Sequence, residues 1–253
     1  MSGPKERIPK YIGPDTSSRS DRMSRAEIKG RFDKEVAALY SQREPIWLPD
    51  FKRMFALIPQ LIQPYIETDS KVLDIGAGTG NLSRSVLEAF PTVRAVLMDF
   101  SSNMLSAAPE VLSQFEGRFE TTVADFIEAD LGAGIYSAVI SSFAIHHCRS
   151  NEEYAKLYER IEKAIGYTGI FVCCDVVAGA NRDMTLQNEL EWTSFLQEQG
   201  LSKDEVDHIL SNYHVEDSPV DLWTHLRLLN RAGFKWVEVV WKRSNFAVYA
   251  GIK

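Results

Sequence analysis

A short glycine-rich segment with the sequence DIGAGTG, residues 74–80, follows an apolar run that is typical of a buried strand. Its glycines let a ligand approach the backbone closely, because they carry no Cβ. Acidic residues follow two further apolar runs, at Asp99 and Asp125. Carboxylates balance positive charge and accept hydrogen bonds from hydroxyl groups. The pattern therefore predicts a site for a ligand that carries both positive charge and hydroxyl groups.

The spacing of the glycines argues against a ligand that binds through phosphate groups. A dinucleotide loop has the pattern G-x-G-x-x-G, and here Gly80 comes one residue early, with Asn81 in the expected place. A P-loop would need Lys and then Ser or Thr after that glycine, and Asn81 and Leu82 stand there instead. S-adenosylmethionine has no phosphate but carries an ammonium, a sulfonium and a ribose diol. It is the cofactor that fits the acidic pattern.

The expected cofactor contacts follow from this assignment. Asp99 lies about 20 residues after the loop, where this kind of fold places an acid that binds the ribose hydroxyls. Apolar side chains after the second and third strands would face the adenine ring. The predicted contacts are Asp74, Gly76, Ala77, Gly78, Gly80, Asp99, Phe100, Met104, Asp125 and Phe126. For Asp74 and Asp125, the capping of a helix or turn is an equally common role.

Two adjacent histidines, His146 and His147, end another apolar run and are candidates for proton transfer. Imidazole titrates near neutral pH, so either residue would serve as a base if the acceptor is an alcohol or a phenol. Asp175 ends the next apolar run and is a further candidate, with helix capping as its alternative. Tyr40 would close over the cofactor and Arg43 would reach its carboxylate, both hypotheses from position. A structural role for the histidines and core packing for Tyr40 stay open as alternatives.

Strands alternate with helices over most of the chain. Apolar runs at 72–75, 93–98, 119–123, 137–142 and 170–175 are separated by amphipathic segments, one of which spans about 104–115. Such alternation requires crossover connections and a parallel sheet that is covered on both faces. It predicts a doubly wound α/β fold, whose ligands bind at the carboxyl ends of the strands.

Three parts of the chain are distinguished by composition. Residues 1–25 contain few large apolar side chains and are predicted to be a flexible N-terminus. Residues 26–68 predict N-terminal helices, with a break at Pro45 and Pro49. Residues 69–253 form the predicted ligand-binding domain, in which 178–219 is too long for a plain loop and predicts a helical cap.

Composition and charge restrict the partners. Lys and Arg total 28 against 35 for Asp and Glu, so the net charge of −7 argues against a nucleic-acid partner, and a small molecule is the expected substrate. Cys148, Cys173 and Cys174 are too few for a disulfide framework and too few for a metal site, so no metal is expected. No apolar run is long enough for a membrane span, and a cytoplasmic location is expected. The sequence leaves a homodimer open.

The glycine segment and its acidic partners resemble the first motifs of class I S-adenosylmethionine-dependent methyltransferases. Residues 72–80 are similar to the first motif, Asp99 to the ribose acid, and residues 124–126 to the adenine-edge segment. Residues 141–147, beginning at Ser141, are similar to the segment that lies beside the methionine end of the cofactor. The resemblance implies a Rossmann-like, mostly parallel sheet of seven strands with an antiparallel last strand.

Within that superfamily, the insertion and the ending at 231–249 resemble the branch that contains the carboxy-S-adenosylmethionine synthase of the wobble-uridine pathway and its uncharacterised relatives. That synthase holds the added carboxylate with an arginine, and the matching place here is near Ile209 and Leu210, so the ordinary cofactor is expected. The resemblance implies methyl transfer to a small molecule by in-line displacement. Cyclisation of the cofactor with release of methylthioadenosine, a role in tRNA modification and a non-catalytic ligand-binding role are the alternatives.

Overall fold

Ten helices and seven strands account for most of the residues that the computed structural model describes, which are 22–34 and 37–253, without the side chains of 38–42. Most of the predicted flexible segment 1–25 lies outside this range. The helices are α1 (Arg25–Phe32), α2 (Ala37–Trp47), α3 (Phe51–Ile62), α4 (Asn81–Ala89), α5 (Ser102–Leu105), α6 (Ala108–Val111), α7 (Asn151–Ala164), α8 (Arg182–Glu198), α9 (Lys203–Glu216) and α10 (Leu222–Ala232). Among the described helices, none is both long and apolar enough to cross a membrane.

The strands form one sheet in the described part of the chain. They are β1 (Lys71–Ile75), β2 (Arg94–Asp99), β3 (Phe119–Val123), β4 (Tyr136–Ser142), β5 (Ile165–Val176), β6 (Trp236–Arg243) and β7 (Phe246–Ile252). The sheet order is β3-β2-β1-β4-β5-β7-β6, in which β1 to β5 are parallel and β7 is antiparallel to both neighbours. The predicted doubly wound, Rossmann-like sheet with an antiparallel last strand is confirmed. The order reverses between β1 and β4, which is where such folds bind ligands.

Helices cover both faces of the sheet because its strands are apolar on both sides. Successive residues of β1 pack into different clusters: Val72 lies with α3 residues such as Ile58, and Leu73 lies with α7 residues such as Leu157. All four of these side chains are at most 1% exposed. The core on each face therefore holds the strand ends in fixed positions.

The N-terminal helices differ from the sequence-based expectation. The predicted break is present at residues 48–50, which include Pro49, but Pro45 lies inside α2, and a further helix end comes at Phe32. The end of α1 is held by tertiary contacts, because the Asn103 side-chain amide donates to the Phe32 carbonyl (3.0 Å). The helix expected over 104–115 is also divided into α5, α6 and a 3-10 turn (Ser113–Phe115). Pro109 lacks an N–H and lies in the first turn of α6, where a helix tolerates proline.

Two helices, α8 and α9, occupy the predicted cap. Asn181 caps α8 by accepting from the Met184 N–H, and Ser202 with Glu205 forms a capping box on α9. The cap is joined to the domain through Trp192, which is 6% exposed and whose Nε1–H donates to the Trp47 carbonyl (2.8 Å). Trp192 and Ile209 of the cap line one cavity with Val176, the last residue of β5, so the cap lies over the carboxyl end of that strand.

Candidate functional site

A cleft opens at the carboxyl ends of β1, β2 and β4 and encloses about 570 Å³ of empty space, counted with the solvent at its mouth. The backbone of the glycine loop, residues 76–79, forms one side. The remaining wall consists of Phe32, Glu44, Asn81, Leu82, Asp99, Phe100, Met104, Phe126, Ser142, Phe143, Ala144 and His147. We call this the glycine-loop cleft. Seven residues predicted as cofactor contacts meet in it, namely Gly76, Ala77, Gly78, Asp99, Phe100, Met104 and Phe126.

Asp99 joins the glycine loop to the end of β2. The Gly78 N–H donates to its Oδ2 (2.9 Å) and the Ser101 N–H donates to its Oδ1 (2.8 Å). A carboxylate has about four lone-pair sites, so each oxygen keeps a site for a ligand hydroxyl. Burial raises the pKa of Asp99 to about 6, against the effect of these backbone donors. Asp99 can therefore bind a diol in its ionised form at neutral pH.

Gly76 lets the loop pack against the turn that follows β4. Its φ is +67°, in the left-handed region, and its N–H donates to the Met98 carbonyl (2.8 Å). A Cβ at this position would lie 2.1 Å from the Cβ of Ala144, well inside van der Waals contact. The side of the cleft therefore depends on a bare backbone at this residue.

Two of the predicted acids lie outside the wall of the cleft. Asp74 is fully buried, and its Oδ2 accepts from the Ser83 hydroxyl (2.7 Å), while burial raises its pKa to about 7. Asp125 accepts from the Ile127 N–H (2.9 Å) and faces Arg25 of α1 (3.5 Å). Asp74 thereby holds α4 through Ser83. Asp125 closes the turn at Ile127, as in the capping alternative, and contacts α1 through Arg25.

Two more predicted contacts have supporting positions. Gly80 has φ +88° and stands at the N-cap of α4. Ser141 is fully buried, and its hydroxyl donates to the Ile75 carbonyl (2.9 Å), which ties β4 to β1 at the edge of the cleft. The neighbouring Ser142 lines the cleft instead.

Glu44 is a wall residue that the sequence reasoning missed. Its Oε2 accepts from the Asn81 side-chain amide (2.7 Å), and burial raises its pKa to about 7. Among the ion pairs of the described residues, none involves Glu44. Arg43, the residue before Glu44, lines a second cavity, described below, and its guanidinium lies 5.8 Å from the ring of Trp47. The side chain of Tyr40 lies outside the described part of the chain.

A second cavity of about 950 Å³, counted in the same way, lies between the sheet and the cap, and we call it the cap chamber. Its wall includes six aromatic side chains, those of Phe32, Trp47, Phe143, Trp192, Tyr213 and Phe246. Phe32, Glu44, Phe143 and His147 line both cavities. The two cavities are therefore contiguous, and an occupant of one can meet an occupant of the other at these four residues.

Phe143 stands between the two cavities in an unusual backbone conformation. Its φ of +49° is in the left-handed region, which costs a non-glycine residue of order 1 kcal/mol. The Phe143 N–H donates to the Cys174 carbonyl (2.9 Å), and its ring lies 6.2 Å from that of Phe246. Strain of this kind concentrates at functional sites. Sequence patterns do not show it, because Phe143 is an ordinary residue after a strand.

The two predicted histidines meet two carboxylates at the edge of the cap chamber. His146 Nδ1 lies 2.5 Å from Asp175 Oδ1, and the His146 N–H donates to the other oxygen of that carboxylate (3.0 Å). Asp217, from the end of α9, lies 3.4 Å from His146 Nε2 and 3.6 Å from His147 Nδ1. We call these four residues the histidine cluster. Sequence reasoning found three of them and missed Asp217, whose neighbours in the chain give no signal.

The two histidines differ in charge although they are adjacent. Burial opposes protonation of His146, but the carboxylates of Asp217 and Asp175 outweigh it and raise its pKa well above the ordinary value. Burial and the charge of His146 lower the pKa of His147 to about 3. At neutral pH His147 is therefore uncharged, with a lone pair available beside both cavities.

Comparison with known proteins agrees with this arrangement. A family model described as a methyltransferase domain matches residues 72–169, which include the glycine loop and Asp99. The carboxy-S-adenosyl-L-methionine synthase of Nautilia profundicola is 22% identical over 227 residues, which cover 90% of this chain and 96% of that protein. A synthase of the same name from Nitratiruptor is 25% identical over 234 residues, which cover 90% and 94% of the two chains.

Among solved structures, the phosphoethanolamine N-methyltransferase 2 of Haemonchus contortus, in complex with phosphomonomethylethanolamine and S-adenosylhomocysteine, has a similar fold. The TM-score is 0.66 at 16% identity, and the match covers 89% of this chain and 60% of that one. This chain therefore spans less than two thirds of that structure. Sequence and fold lead to the same conclusion: residues 72–169 of this chain match a methyltransferase domain, and the fold is one that solved methyltransferases share.

Proposed function

We propose that the protein transfers the sulfonium methyl group of S-adenosylmethionine to a small molecule held in the cap chamber. The observation that carries this proposal is the contact between the two cavities at Phe32, Glu44, Phe143 and His147. A cofactor in the glycine-loop cleft would bring its methyl group to that boundary. Holding the acceptor on the axis of the sulfonium supplies much of the acceleration of an in-line displacement.

The cofactor would be held by groups that match its parts. The ribose hydroxyls would donate to Asp99, and the adenine would lie against the apolar surface of Phe100, Met104 and Phe126, which all line the cleft. Glu44 would bind the ammonium of the methionine part, because it is a half-buried carboxylate at the boundary of the two cavities. Glu44 has no ion-pair partner among the described residues, so a positive charge beside it would stabilise its ionised form and favour a cationic ligand.

The acceptor chamber supports a compact organic substrate. Its aromatic wall provides flat apolar surface, while the histidine cluster provides polar groups at one edge. His147 would accept a hydrogen bond or a proton from the attacking group, because it is uncharged at neutral pH. Ile209 of α9 lines the same chamber, at the place where the resemblance to the carboxy-S-adenosylmethionine synthase would require an arginine. This supports the unmodified cofactor.

The test combines binding with product analysis. Calorimetry should show one S-adenosylmethionine bound per chain, and acceptor libraries of phenols, alcohols and amines should yield S-adenosylhomocysteine. Absence of binding by the wild-type protein would remove the proposal. Mass spectrometry of the nucleoside product also tests an alternative reaction. In that reaction the amine of the cofactor attacks the γ-carbon of its own methionine part, and the bond between that carbon and the sulfur breaks. That cyclisation would release methylthioadenosine, and a carboxylate such as Glu44, placed where it could take up the amine's proton, favours it as the second candidate.

A further inference from the structure

The histidine cluster contains three side-chain atoms that converge at separations longer than those of strong hydrogen bonds. His146 Nε2 and His147 Nδ1 lie 3.4 Å and 3.6 Å from the same oxygen, Asp217 Oδ1. Charge-assisted hydrogen bonds are about 2.7–2.9 Å long, so both separations are too large for good ones. His147 Nδ1 is buried and has no hydrogen-bond partner among the described residues. A single proton could join only two of these three atoms.

The same separations suit coordination of a metal ion. Zinc binds histidine nitrogen and carboxylate oxygen at about 2.0–2.2 Å, so the edges of its tetrahedron are about 3.4 Å long. The three candidate ligand atoms all lie within 4.8 Å of one another, so a small closing movement would complete the group. Two imidazoles and one carboxylate are also a donor set that divalent transition metals accept.

Asp175 supplies the supporting contact that metal-binding histidines usually have. It lies 2.5 Å from His146 Nδ1 and also accepts the His146 backbone N–H (3.0 Å), so it fixes both the ring and the backbone. When His146 Nδ1–H donates a hydrogen bond to Asp175, the lone pair of His146 Nε2 is available on the side of the ring that faces Asp217. Carboxylates in this position orient the ring and increase the basicity of the ligand nitrogen.

We infer that His146 Nε2, His147 Nδ1 and Asp217 Oδ1 bind one divalent metal ion of the zinc class, with Asp175 as the group that orients His146. Because all three ligands line the cap chamber, the remaining coordination position faces its interior. An oxygen or nitrogen of the chamber's occupant would fill it. The ion would take the place of the proton that otherwise lies between His146 and Asp217. Metal binding needs neither cofactor nor acceptor, so its test is separate from that of the proposed function. A bound ion would take up the Nδ1 lone pair of His147 and would contact the acceptor in place of that nitrogen.

Cobalt(II) tests the site directly, because four- or five-coordinate cobalt with nitrogen and oxygen ligands absorbs visible light strongly. Chelator-treated protein without cofactor should bind one cobalt ion per chain and develop this absorption, and zinc should abolish it by displacement. Asp217→Asn and His147→Asn should weaken cobalt binding at least about 100-fold, since each removes a ligand. Asp175→Asn should weaken it about 10- to 100-fold.

The matched control is His208→Asn. His208 lines the same chamber but is exposed on α9, outside the cluster, so its loss should leave the affinity unchanged. Circular dichroism and the binding of methylthioadenosine, whose cleft does not include Asp217, separate loss of the site from loss of the fold. Lack of cobalt absorption in the wild type would overturn the inference. So would equal binding by the wild type and Asp217→Asn, or equal loss in His208→Asn.

Discussion

At the scale of single residues, the site depends on carboxylates that folding has taken out of water. Asp99 is buried and Glu44 is half-buried at the glycine-loop cleft, and loss of solvent raises their pKa values to about 6 and about 7. Asp99 accepts from the backbone N–H groups of Gly78 and Ser101, and Glu44 accepts from one side-chain amide, so each carboxylate keeps a lone-pair site for a ligand. The two residues would therefore recognise different parts of one ligand, and separate experiments can distinguish them.

Binding of methylthioadenosine should weaken as the pH falls through about 6, because the pKa of Asp99 is raised to about 6 and its protonated form loses an acceptor for the ribose. This ligand lacks the amino-acid part, so Glu44 should not contribute. Fluorescence titrations between pH 5 and pH 8 measure the effect, which should approach 10-fold if one charged hydrogen bond of about 1.5 kcal/mol is lost.

Asp99→Asn is the control for that titration, because the neighbouring acids Asp33 and Asp74 also carry charge in this region. The variant should bind weakly at every pH, with a flat profile. If it keeps the wild-type pH dependence, the titrating group is not Asp99.

Glu44→Gln should weaken S-adenosylhomocysteine about 10-fold while leaving methylthioadenosine unchanged. The amide keeps a partner for Asn81 but cannot balance the ammonium, and the loss corresponds to about 1.4 kcal/mol. Calorimetry at pH 8 gives both affinities. Equal weakening of the two ligands would show that Glu44 shapes the cleft instead of binding the ammonium.

At the scale of elements, the glycine loop and the turn after β4 form a close contact between two segments that are distant in the sequence. Gly76 and Ala144 leave no space for a Cβ, and Phe143 in the same turn adopts a left-handed conformation. The loop sequence was predicted as a ligand contact from its glycines alone. The reason for Gly76 in particular is the packing of β1 against β4, which brings Ala144 there.

Gly76→Ala should lower the free energy of unfolding by about 2–4 kcal/mol, through overpacking of about 1–3 kcal/mol and an unfavourable left-handed backbone of about 1 kcal/mol. Urea denaturation measures the change, and nucleoside binding should fall with it. Gly117→Ala is the matched control, since Gly117 has φ +77° but nothing within 4 Å of the added Cβ. It should show only the backbone cost, and similar losses in both variants would contradict the packing argument.

At the scale of the whole molecule, the cap forms one wall of the cap chamber, which adjoins the glycine-loop cleft. Trp192 of α8 is central to this, with ring centroids 5.6 Å from Tyr213 of α9 and 5.4 Å from Phe246 of β7. Its indole N–H also reaches α2. One side chain thus joins the cap, the sheet and the N-terminal helices.

A homodimer and a cytoplasmic location stay predictions.

Trp192→Ala should destabilise the protein by about 3–5 kcal/mol, the range for loss of a large buried aromatic side chain. Thermal and urea unfolding give the change, and acceptor turnover should fall more than cofactor binding, because Trp192 lines only the cap chamber of the two cavities. Trp223→Ala provides the comparison, since Trp223 is 73% exposed and its loss should cost within about 0.5 kcal/mol. Equal costs would mean that the cap is not held by Trp192.

The sequence by itself determined the glycine loop, the acid at the end of β2, the parallel sheet and the presence of a helical cap. These features depend on local spacing and on the alternation of strands with helices, which a single chain displays directly. It could not place the break between α1 and α2, because contacts such as that of Asn103 with the Phe32 carbonyl decide where α1 ends.

Only the tertiary structure decided which side chains share the site. Glu44 meets Asn81 across 37 positions of the chain, and Asp217 reaches His146 and His147 from the end of the cap. Asp74 and Asp125 do not line the cleft, although their positions at strand ends predict it. Such contacts depend on how helices pack at the ends of the strands. They cannot be read from the sequence, because packing between distant segments leaves no periodic pattern in it.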